Sequence, residues 1–165
     1  YTNATITGID ISQGMLDVGI EKITKIGLTD RIQLQLADSE NLPFENNSYD
    51  AITAGFGVRN FEDLNKGLSE MYRTLKSGGK VVILEPSEPT HFPLKQFYNL
   101  YFHHILPFIG GIISKDKNAY TYLPDSVSAF PSGNNFLTEL DKVGFKECKH
   151  IPLSLGIVSL YIAIK

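Results

Sequence analysis

Two carboxylates, Asp10 and Asp38, carry the chemistry that is easiest to read in this chain. Each closes a β-type run, Ala4 to Asp10 and then Arg31 to Asp38. An acid after the second strand of a doubly wound fold typically accepts hydrogen bonds from the ribose hydroxyls of a nucleotide-like cofactor. A second acid one strand further along is placed to meet an adenine amine. Together they point to a nucleoside pocket at the carboxyl edge of a parallel sheet. Solvated acids at strand ends are the plainer alternative.

The elements that must hold these acids alternate between strand and helix patterns, as in an α/β domain. Ser12 is a cap for a helix that carries Met15, Leu16, Ile20, Ile23 and Ile26 and stops at Gly27. Ile32, Leu34 and Leu36 alternate with polar residues, the mark of a strand near a sheet edge. Tyr49 to Phe56 reads as a more buried strand. Phe61, Leu64, Leu68, Met71 and Leu75 keep helical spacing until Ser77-Gly78-Gly79 ends it. The unbroken run Val81 to Leu84 predicts a central strand. A short helix over Asn134 to Val143 closes at Gly144, and two last strands, Phe145 to Pro152 and Ile157 to Ile164, flank a tight link at Gly156.

Between Ser87 and Gly133 this pattern gives way to prolines and aromatic residues. Such a segment after a central strand forms a lid or an apolar pocket for a large hydrophobic substrate, reached from a membrane surface. An extra helical layer that only covers core is the alternative. Leu100 to Ile113 is too short and too broken for a bilayer span. The 165 residues suit a single domain, and a net charge of −3 gives no reason to expect nucleic acid. The lone Cys148 excludes an intrachain disulfide and a cysteine-rich zinc site, and fits a reducing compartment. No metal site is expected.

A family resemblance rests on specific runs. Gly8-Ile9-Asp10-Ile11-Ser12-Gln13-Gly14-Met15-Leu16 resembles the second-strand motif of S-adenosylmethionine-dependent methyltransferases. Ala37-Asp38-Ser39-Glu40-Asn41-Leu42-Pro43-Phe44 and Ser48-Tyr49-Asp50-Ala51-Ile52 are similar to their next two motifs. More specific are Phe56-Gly57-Val58-Arg59-Asn60-Phe61, Met71 to Gly79, Phe102 to Gly110 and Tyr120 to Ser126. Together these resemble the quinone-biosynthesis C-methyltransferases, in particular the demethylmenaquinone type. The resemblance implies a Rossmann-like class I fold in one domain, residues 1–165, with a mostly helical insertion over 87–133 that forms the substrate pocket.

No Gly-x-Gly loop follows a strand in this chain. In the family's strand order, the first strand and its glycine turn lie between the strands carrying Asp10 and Phe56. The chain is therefore expected to be a fragment that binds cofactor poorly or does not fold alone.

The resemblance also implies roles. S-adenosyl-L-methionine would meet Asp10 at the ribose, Asp38 and the Ser39 backbone at the adenine, and Ile11 and Met15 along its apolar surface. Gly55 and Phe56 continue that pocket, Gly55 through its backbone alone. Arg59 and Asn60 are the candidates to stabilise a developing phenolate on a quinol. A loop arginine paired with a carboxylate and an asparagine capping the next helix are the structural alternatives. His104 would orient or deprotonate the quinol, and Tyr120 and Tyr122 would line the ring pocket. His91 and His150 read as ordinary surface residues.

The expected reaction is methylation of demethylmenaquinol to menaquinol. A polyprenyl benzoquinol substrate and an inactive quinone-binding scaffold are the alternatives. Partners would be a lipophilic quinol, the inner face of a membrane at the periphery of a cytoplasmic protein, and a second copy as a homodimer. A nicotinamide-dependent reductase is a weaker reading, carried by Tyr72 and Lys76.

Overall fold

The structure is a computed structural model that describes residues 3–101 and 117–165, without the side chains of 117–121 and 123. Its first unit is β1 (Ile6–Asp10), α1 (Gln13–Lys25) and β2 (Ile32–Leu36). The two strands pair in parallel, Ile6 opposite Ile32 through to Asp10 opposite Leu36. Ser12 caps α1 from an extended backbone, its side chain accepting from the Met15 amide at 3.4 Å. Two glycines let the helix close on the sheet. A Cβ on Gly8 would stand 2.6 Å from Leu34 Cδ2, and one on Gly19 would stand 2.5 Å from Leu34 Cδ1. Of the apolar positions expected on α1, only Leu16 is buried, while Met15, Ile20 and Ile26 are exposed.

The second unit is a four-stranded sheet in the order β3 (Tyr49–Gly55), β4 (Leu75–Pro86), β6 (Val158–Ile164) and β5 (Lys146–Leu153). β3 and β4 are parallel, and the other neighbours are antiparallel. The unbroken run Val81–Leu84 lies in β4, between two neighbours, as its pattern predicts. α2 (Leu64–Thr74) and α5 (Asn134–Val143) pack on this sheet. Leu68, Met71, Phe136 and Leu140 meet Val81, Ile83, Phe145 and Tyr161 in one core. Gly144 closes α5 with a left-handed φ of 115°, the conformation a glycine adopts without steric cost.

One boundary differs from expectation. α2 ends at Thr74, and Leu75 already belongs to β4. The Ser77-Gly78-Gly79 step is a bulge within that strand: the register passes from Tyr49 opposite Leu75 to Ala51 opposite Lys80. Gly78, at φ 77°, donates to the Lys165 carbonyl at 2.9 Å, and Gly79 accepts from the Lys165 amide at 2.9 Å. Glycines therefore do mark the end of the apolar helical spacing, but as a strand irregularity. Within 87–133 the described residues form α3 (Leu94–Leu100) and α4 (Lys117–Ala129), the latter with Pro124 inside it.

The two sheets are not hydrogen-bonded to each other. The loop after β2 joins them through side chains. Arg73 uses all five of its N–H groups there: two bonds of 2.7 Å to the Glu70 carboxylate, two to Phe44 O and Asn46 Oδ1, and one of 3.0 Å to Leu42 O. Glu70 Oε2 also accepts from the Leu42 amide at 2.9 Å.

The hydrogen bonds from Arg73 hold the Glu70 carboxyl below its ordinary value, against the opposing effect of burial. A carboxylate with a depressed folded pKa contributes stability above its unfolded value, and loses it as pH falls through the folded one. Arg73→Ala is expected to cost about 2–3 kcal/mol at neutral pH, the scale of charge-assisted hydrogen bonds. Urea unfolding of the variant and parent should converge as pH falls below the usual carboxylate range. A penalty that is the same at acid and neutral pH would separate Arg73 from the Glu70 charge.

Candidate active site

A cavity of about 610 Å³ opens between β1 and β3 at their carboxyl ends. β1 supplies Ile9 and Asp10, the loop after β2 supplies Asp38 to Glu40, and β3 supplies Ile52 to Gly55. Of the residues expected at a cofactor, Asp10, Ile11, Asp38, Ser39, Gly55 and Phe56 line this one cavity. Met15 does not; it lies on α1 with 61% of its surface exposed.

The two acids are oriented the same way. Asp10 Oδ1 accepts from the Ser12 amide at 2.8 Å, and Asp38 Oδ1 accepts from the Glu40 amide at 2.8 Å. Each is a local turn that fixes the carboxylate by one oxygen. Among the described residues neither Oδ2 has a partner, which leaves one charged acceptor of each acid for a ligand donor. Gly55 and Gly57 border open space, since a Cβ on either would meet nothing within 4 Å. A ligand can approach their backbone directly.

The turn after β3 forms the other rim. Phe56 is half-exposed and has a φ of 59°, a left-handed conformation that costs a bulky residue about 1–2 kcal/mol. Its amide donates to Leu84 O at 2.8 Å, and its carbonyl accepts from Arg59 Nη1. Glu85, fully buried at the end of β4, holds the rest. Its Oε1 accepts from the Val58 amide at 2.7 Å, and its Oε2 pairs with Arg59 Nη1 at 3.0 Å.

Arg59 therefore takes the carboxylate-paired alternative. Its side chain is 11% exposed, its charge is met by Glu85, and it is not among the residues lining the cavity. Asn60 does line it, and Asn60 Oδ1 accepts from Tyr122 Oη at 2.7 Å. Asn60 is not the cap of the next helix; Asp63 is, accepting from the Lys66 amide at 3.0 Å. His104 and the Tyr120 side chain lie outside what is described. His91 is exposed and stands apart from this cavity, as an ordinary surface residue would. His150 departs from that expectation: it is half-buried, stacked on Tyr161, and burial lowers its pKa. Tyr72 and Lys76, the reductase-like pair, also stand away from the cavity; Lys76 pairs with Asp50 at 2.7 Å, and Tyr72 packs edge-on against Phe145.

Two acids at the site have no place in the sequence-based assignment. Glu40 lines the cavity and ties the loop after β2 to the approach of α2, accepting from the Glu62 amide at 2.7 Å. Glu85 ends an apolar run just as Asp10 and Asp38 do, and that shared pattern is the signal that could have found it.

Solved structures with the class I S-adenosylmethionine-dependent methyltransferase fold share this architecture. A protein from Methanococcus maripaludis, described as a candidate methyltransferase of that kind, superposes with a TM-score of 0.62 at 26% identity, over 98% of this chain and 66% of that one. An S-adenosylmethionine-dependent methyltransferase from Aquifex aeolicus gives 0.62 at 15% identity, over 97% and 68%, and so speaks for the fold. Residues 2–165 match the ubiE/COQ5 methyltransferase family, and the chain belongs to it. It is 48% identical over 160 residues to the demethylmenaquinone methyltransferase of Bacteroides fragilis, covering 97% of this chain and 65% of that protein. It is 46% identical over 164 residues to the ubiquinone/menaquinone biosynthesis C-methyltransferase UbiE of Geotalea daltonii, covering 99% and 69%. The chain thus spans about two thirds of the length of the curated relatives it matches.

Arg59→Ala is expected to cost about 3–5 kcal/mol of stability in urea unfolding, because it leaves a buried carboxylate without its counter-charge. Asn60→Ala, at the exposed rim, should cost about 1 kcal/mol or less. Equal and small penalties for both would mean that Glu85 does not depend on Arg59.

Proposed function

We propose that the protein transfers a methyl group from S-adenosyl-L-methionine to a ring carbon of demethylmenaquinol, giving menaquinol. The observation that carries this reading is the convergence of Asp10 and Asp38 on one cavity, in a chain nearly half identical to a demethylmenaquinone methyltransferase. The residues present fit the cofactor: two acids with an oxygen to spare, open backbone at Gly55 and Gly57, and apolar contact at Ile11. When bound, the cofactor supplies a methyl group already activated by its sulfonium.

The remaining work falls to positioning. Asp10 accepts from the ribose hydroxyls and Asp38 from the adenine amine, with the Ser39 backbone beside the ring. Gly55 and Phe56 close the wall along β3. Asn60, braced by Tyr122, is the polar group at the rim of the cofactor cavity on the side open to the substrate. Arg59 acts behind it as a positioning residue, because its charge is already met by Glu85. Exposed Phe92, Leu100 and Tyr101 support a peripheral contact of the 87–133 segment with a membrane holding the quinol. No described helix is long and apolar enough to cross one. Self-association is a further expectation, read by sedimentation of the full-length protein.

The test is mass spectrometry of the full-length enzyme with cofactor and a panel of demethylated naphthoquinols and benzoquinols. Methylation of demethylmenaquinol is expected; methylation of benzoquinol alone, or of nothing in the panel, would overturn the reading. Asp10→Ala should weaken cofactor binding in calorimetry by roughly 10- to 100-fold, the loss of a charge-assisted hydrogen bond. Its kcat at saturating cofactor should change far less.

A further inference from the structure

A second cavity, of about 1050 Å³, lies beyond the carboxyl end of β4, where β5 ends and β6 begins. A chain of hydrogen bonds runs along its wall. Ser87 Oγ donates to Gly156 O at 2.9 Å, Ser159 Oγ donates to Ser87 Oγ at 2.8 Å, and His150 Nε2 lies 2.8 Å from Ser159 Oγ. Ser87 and Ser159 are buried.

The direction of this chain fixes the histidine. A carbonyl oxygen only accepts, and a serine hydroxyl has one proton to give. The Ser87 proton goes to Gly156 and the Ser159 proton goes to Ser87. The bond between His150 and Ser159 must then be donated by Nε2–H. The other ring nitrogen of the neutral imidazole, Nδ1, is left with a bare lone pair. Burial favours that neutral form by lowering the His150 pKa. The ring is held flat against Tyr161, centroids 5.0 Å apart and planes 19° from parallel. Gly133 lies beside the ring, and a Cβ there would stand 3.9 Å from Nδ1. Among the described residues no donor reaches Nδ1. The same cavity is lined by apolar Leu94, Phe97, Pro152 and Leu155 and by polar Glu88, Thr90, His91, Asn134 and Asn135.

We propose that this cavity binds the reduced ring of the quinol substrate, a phenolic hydroxyl donating to His150 Nδ1 while the ring lies against Leu94, Phe97 and Leu155. The assignment rests on the quinol reading above and adds to it a device for telling redox states apart. A hydroquinone brings the donor that Nδ1 lacks. A quinone brings only carbonyl acceptors, so the two lone pairs would face each other unpaired. Sites built around a substrate hydroxyl reject the analogue that lacks it.

The test uses the full-length enzyme and 2-methyl-1,4-naphthoquinone, oxidised or kept reduced by dithionite without oxygen. The reduced form should bind at least about tenfold more tightly, and His150→Gln should remove the preference. In the unsubstituted protein, ¹⁵N spectra should show His150 as the Nε2–H tautomer, with its Nδ1 resonance moving when the reduced ring is added. Equal affinity for the two forms in the parent protein, an unchanged preference in His150→Gln, or a protonated Nδ1 would each overturn the proposal. Methyl transfer to demethylmenaquinol with any of those results would keep the activity and remove this site. The redox preference in an enzyme that methylates no quinol would do the reverse.

Discussion

The buried carboxylate of Glu85 is the constraint on which the cavity rim depends. An unpaired charge at that depth would cost several kcal/mol, so the chain around it must supply partners. It does so from a single turn: the Val58 amide takes one oxygen and Arg59 takes the other. Arg59 then bonds the carbonyl of Phe56 and helps to hold that residue in a left-handed conformation that its side chain disfavours. The strain is small beside the cost of an unmet charge, so the ion pair prevails and Phe56 stays at the rim. Gly57 and Asn60 are carried to the cavity by the same turn.

Acidic side chains also link the two sheets. β1 and β3 belong to different sheets, yet Asp10 and Asp38 face one space with residues of β3. What keeps them in register is the loop after β2, tied down by Glu40 at one point and by Glu70 with Arg73 at another. Such links are stronger one by one than neutral hydrogen bonds, but they answer to pH and salt in a way that a strand ladder does not.

The element order was largely legible in the sequence, because it rests on local signals. Ser12 at a helix start, Gly144 at a helix end and the apolar run Val81 to Leu84 each obey rules of short range. The bulge at Gly78 and Gly79 was not legible as a strand, because its conformation is set by Lys165 at the other end of the chain. The acids at strand ends were visible as a pattern, and two of them line one cavity. The third, Glu85, turns inward and takes Arg59 with it, a choice fixed by packing among β4 and the turn after β3. Met15 illustrates the limit from the apolar side: its spacing on α1 is right for a buried face, but that face is left largely exposed. His150 shows it from the polar side, since its burial comes from Tyr161 on the neighbouring strand.

β4 connects the two cavities. Burial alternates along its end, with Ile83, Glu85, Ser87 and Pro89 inside, so Glu85 and Ser87 share the face set by the two-residue period of an extended chain. Glu85 reaches under the rim where Gly57 and Asn60 stand, and Ser87 anchors the hydroxyl chain that orients His150. Two polar residues set two positions apart on one buried face would ordinarily be liabilities in a core. Here each is fully used, one by the turn after β3 and the other by the turn before β6. A central strand that ends in polar residues on its buried face can therefore shape the walls of two cavities at once, one through Glu85 and the turn after β3, the other through Ser87 and the turn before β6.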